Sequence, residues 1–491
     1  MTKTQAWSLF RAVFERCIVL SVLLFSASAV LAQAGAVTTP PQEAAPVLLL
    51  SDIHFEPFWD PGKVPQLAAA PVSEWKSILA APPSPDRERR FQALEKTCRV
   101  RGDDTSPALL DSSFKAVGKH ATGAAFAAVS GDLVAHAFSC KYAETFPHPA
   151  PGGYRSFVEK TISYVLQELG GSLPGVPLFV ALGNNDSDCG DYRLDAHSAF
   201  FSDAAAEFTQ GFPGEERQSA QRTFEAGGYY GVSLPAPLRN ARLLVLNDLF
   251  MSGKYSTCAG KPDPGAASEQ LAWLRQQLVD ARRNNQKVWV MGHIPPGIDL
   301  HGTVTKMRNV CGGEQPEMFL GSEKMADELI EFGDVVQLAV FAHTHMDEMR
   351  LLRPDEASYE PGKSVALKMI PSISPINGNA PAFVVASVGT ANAALLDYRV
   401  FVVSNSAGWS EEYDFAQAYR LAGFTAASAE RLLARFQADP AARSEASRNY
   451  IRDFMPGSVL SPLGLVWPQY TCSLWNHTAQ QYRTCVCPAA H

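Results

Sequence analysis

The chain has 491 residues, 46% of them hydrophobic and 19% charged, with a formal net charge of -8. That is enough apolar sequence to bury one large core or two, which excludes the disordered and fibrous classes. The acidic balance, with no basic run, excludes a nucleic-acid polymer as partner and an electrostatic membrane anchor, while leaving lipid headgroup and nucleotide-type substrates open.

At the N-terminus Lys3, Arg11 and Arg16 lead into an apolar run from Cys17 that ends in Val30-Leu31-Ala32. This is the pattern of an export signal over 1–32, cleaved near Ala32, and it points to a secreted or periplasmic protein. The run is shorter than the ~20 residues of a membrane span, and no later stretch is long and apolar enough for one. No stable span is therefore expected after the signal is removed. Loss of Cys17 leaves eight of the nine cysteines, an even number that suggests disulfides in an exported protein.

Residues 33–45 read as a flexible leader, and a first strand begins at Pro46. The proline- and aromatic-rich stretch from Phe55 to Ser106 reads as a long connection, expected to wall or cover a site. After it the pattern alternates: helices near 107–120, 154–169 and 194–209, strands near 125–132, 177–184 and 243–247, then an amphipathic helix over Ser268–Arg283. Strands near 287–292 and 336–342 enclose a helix near 322–332. Such alternation predicts an α/β domain. Four further strand-like runs without intervening helices (RLLRP, SVALKMIPSI, AFVVASV, LLDYRVFVV) predict a second, mixed or antiparallel sheet. Composition shifts near Asn405, so a domain over 46–405 is expected to be followed by a helical C-terminal subdomain over 406–491, whose tail from residue 456 holds three cysteines and no periodicity.

Five apolar runs stop at residues able to hold a metal: LLLSDIH at Asp52 and His54, FAAVSGD at Asp132, LFVALGNND at Asn184, VWVMGH at His293, and LAVFAHTH at His343 and His345. The i, i+2 pairs Asp52/His54 and His343/His345 would point to one side of a strand end. Imidazoles, carboxylates and one amide suit zinc, iron or manganese rather than calcium. Seven donors are too many for one transition ion and suit two that share a carboxylate, a part that falls to Asp132. Two divalent ions ~3.5–4 Å apart can hold both non-bridging oxygens of a phosphoryl group, with a bridging hydroxide in line for attack on phosphorus. Each motif alone is weak; their order on successive strand ends makes the signal specific.

In these residues the chain resembles the calcineurin-like metallophosphoesterases, whose blocks are DxH, GD, GNH, GH and GHxH, over about residues 46–405. Within that superfamily it is most similar to the acid sphingomyelinase-like phosphodiesterases, through FVALGNND, LLVLND, EQLAWLRQQL, GHIPPG and FAHTHMDEM. The resemblance implies a two-sheet β-sandwich flanked by helices. It also implies one metal on Asp52, His54, Asp132 and His345, another on Asp132, Asn184, His293 and His343, and zinc as the ion. Two departures stand out. The short stretch ahead of Asp52 leaves no room for the saposin domain such proteins can carry. The GNH block reads Gly183-Asn184-Asn185, so the usual histidine is missing, and Asn185 can hydrogen-bond a phosphoryl oxygen but cannot donate a full proton. His136, four residues beyond Asp132, matches a histidine of the sphingomyelinase-like group and is the candidate general acid; the alternative is a histidine capping the following turn. The resemblance further implies a Cys258–Cys311 disulfide.

Glu56 and Asp60 read as solvated loop carboxylates, Asp186, Asp188 and Asp191 as partners of turn backbone groups, and Asn476 as the plausible glycosylation acceptor. Three functions stay open: a metal-dependent phosphodiesterase, a phosphomonoesterase or nucleotide/polyphosphate hydrolase on the same core, and a catalytically silent metal- or phosphate-binding protein.

Overall fold

Side chains that alternate between the two faces of each strand divide the core of this protein. A computed structural model describes residues 43–355, 362–404, 408–458 and 461–487. The expected signal, nearly all of the leader and the boundary at 405/406 lie outside them. Twelve strands are present among the described residues: β1 (Ala44–Leu50), β2 (Ala127–Ser130), β3 (Leu178–Ala181), β4 (Tyr230–Ser233), β5 (Ala241–Val245), β6 (Lys287–Met291), β7 (Val336–Phe341), β8 (Glu348–Leu352), β9 (Val365–Met369), β10 (Ala382–Gly389), β11 (Leu395–Ser404) and β12 (Gly408–Asp414). They form two six-stranded sheets, ordered β12-β11-β10-β1-β2-β3 and β4-β5-β6-β7-β9-β8. Parallel pairing joins β1, β2 and β3 in the first sheet and β5, β6, β7 and β9 in the second; the outer strands are antiparallel.

The sheets pack face to face. Leu243, Trp289 and Met291 join Leu48, Val129 and Val180 in the inner core, whereas the alternating Leu244, Val288 and Val290 pack outward on Leu274 and Leu278 of the helix Pro264–Arg283 and Leu329 of the helix Lys324–Glu331. Both faces are covered, so these strands are continuous apolar runs. The exposed edge strand β12 reads GWSEEYD instead, its charges keeping the open edge in water. Tyr230 Oη bridges the layers, donating to Val180 O at 3.0 Å and accepting from Val180 N at 2.8 Å.

Three sequence expectations change. The stretch 55–106 is largely helical: a 3-10 turn at Pro57–Trp59, then helices Val64–Ala69, Val72–Ala80 and Arg87–Cys98. Prolines stand at the start of the first three, where a missing N–H costs nothing, and Leu67, Trp75 and Phe91 are buried beneath the helices. The late strands do not make one further sheet; β8 and β9 complete the second, while β10, β11 and β12 return to the first because β1 offers β10 a free buried edge. Finally, Cys258 does not pair with Cys311. The disulfides are Cys98–Cys140, Cys189–Cys258, Cys311–Cys487 and Cys472–Cys485. Cys258 and Cys189 lie on two loops that hydrogen-bond to each other, and Cys311 sits on a 3-10 turn beside the last described helix.

The tail that lacks periodicity contains two short helices, Trp467–Ser473 and Ala479–Val486. A buried polar cluster fastens this region to the second sheet. Lys368 on β9 pairs with Asp347 and also donates to Met369 O at 3.1 Å; Asp347 in turn accepts Tyr413 Oη at 2.6 Å, and Tyr470 Oη donates to Glu348 at 3.0 Å.

Candidate metal centre

All five motif turns open at the same ends of β1, β2, β3, β6 and β7. Beyond the strand ends the first two loops stay in register: Asp52 N donates to Gly131 O at 3.0 Å and His54 N to Asp132 O at 2.9 Å. The i, i+2 pairs do reach one side, but not through the strand pleat. Asp52 (φ 45), His54 (φ 43), His343 (φ 70) and His345 (φ 66) are left-handed, as is Asp132 (φ 55). Side chains rarely accept that backbone, and its concentration here marks a strained, functional turn. Gly183 lets Asp132 approach: a Cβ there would collide with Asp132 Oδ1.

Two buried carboxylates hold the turns. Asp186 Oδ1 accepts from Leu133 N (2.8 Å) and Val134 N (3.0 Å) while Oδ2 accepts from Gly183 N (2.9 Å), so one side chain locks the GD and GNN turns together. Asp248 does the same for the GH turn, accepting from His293 N at 2.8 Å and Ile294 N at 3.0 Å. Burial pushes both carboxyls up to about 7, Asp186 with added repulsion from Asp132, against the pull of those backbone donors. Asp186 is legible in the sequence as a turn carboxylate; Asp248 carries no such signal, although it ends the LLVLND segment.

Around the cleft Asp52, His54, Asp132, Asn184, His293 and His345 are buried and His343 is half-buried. Carbonyls fix two ring tautomers: His54 Nδ1 donates to Val134 O at 2.9 Å and His293 Nδ1 to Ser130 O at 2.7 Å, leaving each Nε2 lone pair facing inward. With the rings neutral, as a metal ion needs them, acceptor there meets acceptor. His54 Nε2 is 3.2 Å from His345 Nε2, and His293 Nε2 is 3.2 Å from both Asn184 Oδ1 and Asp132 Oδ2 and 3.3 Å from His343 Nδ1. Asp52 Oδ1 and His345 Nδ1 are buried with no hydrogen-bond partner. Buried polar atoms rarely stay unpaired, and inward lone pairs of N and O are what a transition ion requires. Asp132 belongs to two such groups, with Asp52 and His54 and with His293 and His343, each with its donor atoms within 4.8 Å of one another. The residues therefore fit two metal ions, as the sequence pattern suggests.

Electrostatics agree. Burial opposes charge on Asp52, yet the surrounding histidines hold it at about 2 and hold Asp132 well below the usual range. Burial likewise opposes charge on His54 and His293, but the carboxylates, Asp132 first, raise them to about 9 and about 10. Burial, with neighbouring cationic rings, depresses His343 to about 3 and His345 to about 4. Without metal, protons on two imidazoles balance the carboxylates; divalent ions replace those protons.

His136 lies over this group, its ring stacked on His54 at 3.9 Å and about a third exposed. Its backbone N donates to Asp104 Oδ2 at 2.7 Å and its Nδ1 lies 3.1 Å from Asp104 Oδ1, which also accepts Ser374 Oγ at 2.8 Å. His136 thus has a fixed ring, and with His54 and His345 it forms a further group whose ring nitrogens lie within 4.8 Å of one another. Asp104, buried and held well below the usual carboxylate range by His136 despite burial, has no motif that would have revealed it. Asn185 is turned inward: N and Nδ2 donate to the two oxygens of Asp132 at 2.8 and 2.9 Å. Asn184 Nδ2 donates to Asp191 at 2.8 Å, which aims Oδ1 at His293.

Glu56 and Asp60 are not solvated. Glu56 is fully buried against Lys141, and Asp60 accepts Gly62 N at 3.1 Å and Ser84 N at 2.9 Å. Asn476 is buried and donates to Cys472 O at 2.7 Å, which does not suit a glycan acceptor. No helix among the described residues is long and apolar enough to cross a membrane.

The calcineurin-like phosphoesterase family model matches residues 45–347. The chain is 24% identical over 452 residues to an acid sphingomyelinase-like phosphodiesterase 3b of Mus musculus, covering 89% of each chain. It is 25% identical over 332 residues to a sphingomyelinase phosphodiesterase C of Dictyostelium discoideum, covering 63% of this chain and 66% of that protein. A cyclic GMP-AMP phosphodiesterase, SMPDL3A, of Mus musculus is 27% identical over 305 residues, 59% of this chain and 64% of that one. The matched span contains every turn of the Asp–His centre, and the chain belongs to the calcineurin-like phosphoesterase family of metal-dependent phosphoester hydrolases.

Proposed function

We propose that the protein is an exported phosphodiesterase of the acid sphingomyelinase-like type, acting on a small phosphoester with two divalent transition ions, zinc in the first place and manganese or iron as alternatives. The observation that carries this is Asp132, common to two adjacent groups of metal-competent atoms. Four disulfides support an oxidising compartment. Bound ions would supply positive charge for the phosphoryl oxygens and acidify water for attack. Asp52, His54 and His345 would hold one ion and Asn184, His293 and His343 the other, with Asp132 common to both.

The chain's own groups do the remainder. Asn185 donates two hydrogen bonds to Asp132 and so fixes the carboxylate between the two halves, a use of the amide that needs no proton transfer. His136, held through Nδ1 by Asp104, would use Nε2 to protonate a leaving oxygen. Asp186 and Asp248 keep the turns from relaxing when substrate charge arrives.

The test is a substrate panel on protein analysed for metal and reloaded with zinc or manganese. Bis(p-nitrophenyl) phosphate or p-nitrophenyl phosphorylcholine turning over faster than p-nitrophenyl phosphate is the expected result. A faster monoester moves the assignment to phosphomonoesterase. No turnover of any ester by protein holding two ions per chain moves it to a phosphate-binding protein.

A further inference from the structure

Beside His343 the cleft has a feature that neither the ligand set nor the proton donor uses. His343 turns Nδ1 toward His293, and its Nε2 lies 3.2 Å from Tyr192 Oη. With Nδ1 as the inward donor atom, Nε2 carries the proton and Tyr192 Oη accepts it, so the phenol's own hydrogen points away from the ring. Lys254 covers the face of Tyr192: Nζ is 4.8 Å from the ring centroid and 3.5 Å from Oη. Among the described residues this exposed ammonium makes no ion pair within 4 Å and Tyr192 Oη is its one hydrogen-bond partner, although its charge reaches the Asp191 carboxylate and, against burial, helps to lower it.

The two residues are held on one clasp. Tyr192 N donates to Asn184 O at 3.1 Å, Ser256 N to Tyr192 O at 3.0 Å and Leu194 N to Ser256 O at 3.1 Å, with Cys189–Cys258 closing the end. Their position relative to His343 is therefore built in. A cation standing unpaired beside a centre that gathers two divalent cations is unfavourable until an anion lies between them. The same lysine occupies the aromatic face on which a quaternary ammonium headgroup would stack, and it repels such a group.

Building on the phosphodiesterase reading, we propose that Lys254, carried on Tyr192, is a specificity-determining residue that selects substrates bearing a second negative charge next to the scissile phosphorus. The favoured class is an anionic phosphoester, with an adjoining phosphate or carboxylate, over a zwitterionic choline ester.

Binding tests this without turnover. Metal-loaded protein is titrated with three phosphoryl ligands: phosphonoacetate, which adds an anion, ethylphosphonate, which adds none, and phosphocholine, which adds a cation. Wild type binds phosphonoacetate most tightly. Lys254→Met weakens phosphonoacetate about tenfold, leaves ethylphosphonate within about twofold and leaves phosphocholine equal or tighter, with metal content unchanged; Lys254→Arg restores the wild-type order. Equal changes for all three ligands, no change for any, or a wild type that binds none of them overturns the proposal. A protein that shows the discrimination yet hydrolyses no ester loses the phosphodiesterase assignment and keeps this one.

Discussion

Two buried polar regions sit at opposite ends of the same argument about charge. In the cluster beneath β8 and β9 every charge has its complement: Lys368 faces Asp347, and Asp347 also accepts Tyr413. In the cleft at the strand ends, acceptors face acceptors once the imidazoles are neutral, and Asp52 Oδ1 and His345 Nδ1 have no hydrogen-bond partner. Burial is nearly complete in both, so burial does not separate them. What separates them is whether the chain supplies a permanent cation: in the cleft only protons on His54 and His293 oppose the carboxylates, and divalent ions can replace them. The first region is finished by folding and serves as a fastener; the second is complementary to something folding does not provide.

The largest effect that would break this contrast is on Asp132. Asp132→Asn removes the carboxylate common to both halves, and phosphodiester turnover should fall at least about a thousandfold with loss of one metal ion per chain. Full metal content with turnover intact would show that the halves do not share it. Next comes the fastener: Lys368→Met leaves Asp347 buried without a cation and should cost about 3 kcal/mol of unfolding free energy in denaturant titration, while turnover per folded molecule is kept. Loss of metal in that variant would mean the two regions are not separate. His136→Ala should lower turnover about a hundredfold on esters with poor leaving groups and far less on p-nitrophenyl esters. Equal losses on both would end the proton-donor role.

The smallest effect is on pH dependence. In metal-stripped protein His54 and His293 are raised to about 9 and about 10, against burial, by Asp132 and its neighbours. A raised histidine adds stability that is whole below its unfolded value near 6.5 and disappears as pH climbs through the folded value. Between pH 7 and 10 the stripped protein should therefore lose about 2 °C more in thermal midpoint than the metal-loaded protein. Equal falls would mean that protons do not stand in for the ions.

Much of the centre was legible because each donor sits where an apolar run stops, and a buried parallel strand announces its end. Asp52, His54, Asp132, Asn184, His293, His343 and His345 do converge. The residues that aim them were harder to see. Asp104 and Asp248 act through backbone and ring contacts that leave no spacing to detect, and Glu56 looked solvated because its partner Lys141 lies on a distant helix. In the fold, the α/β alternation was readable from periodicity, whereas the return of β10 to β1 was not, since an apolar run does not say which edge it will join. Cysteine count implies disulfides without their connectivity, and the Cys258–Cys311 pair that the family resemblance implies is replaced by Cys189–Cys258 and Cys311–Cys487.

The pairing of β1 with β10 also orders events in time. Ala44 is registered against Gly389, so the sheet that carries Asp52 and Asp132 stays open on one side until the chain has been made as far as β10. Every donor emerges from synthesis before the strand that closes the sheet around the first of them. Such long-range closure is slow, and it makes the cleft a late product of folding.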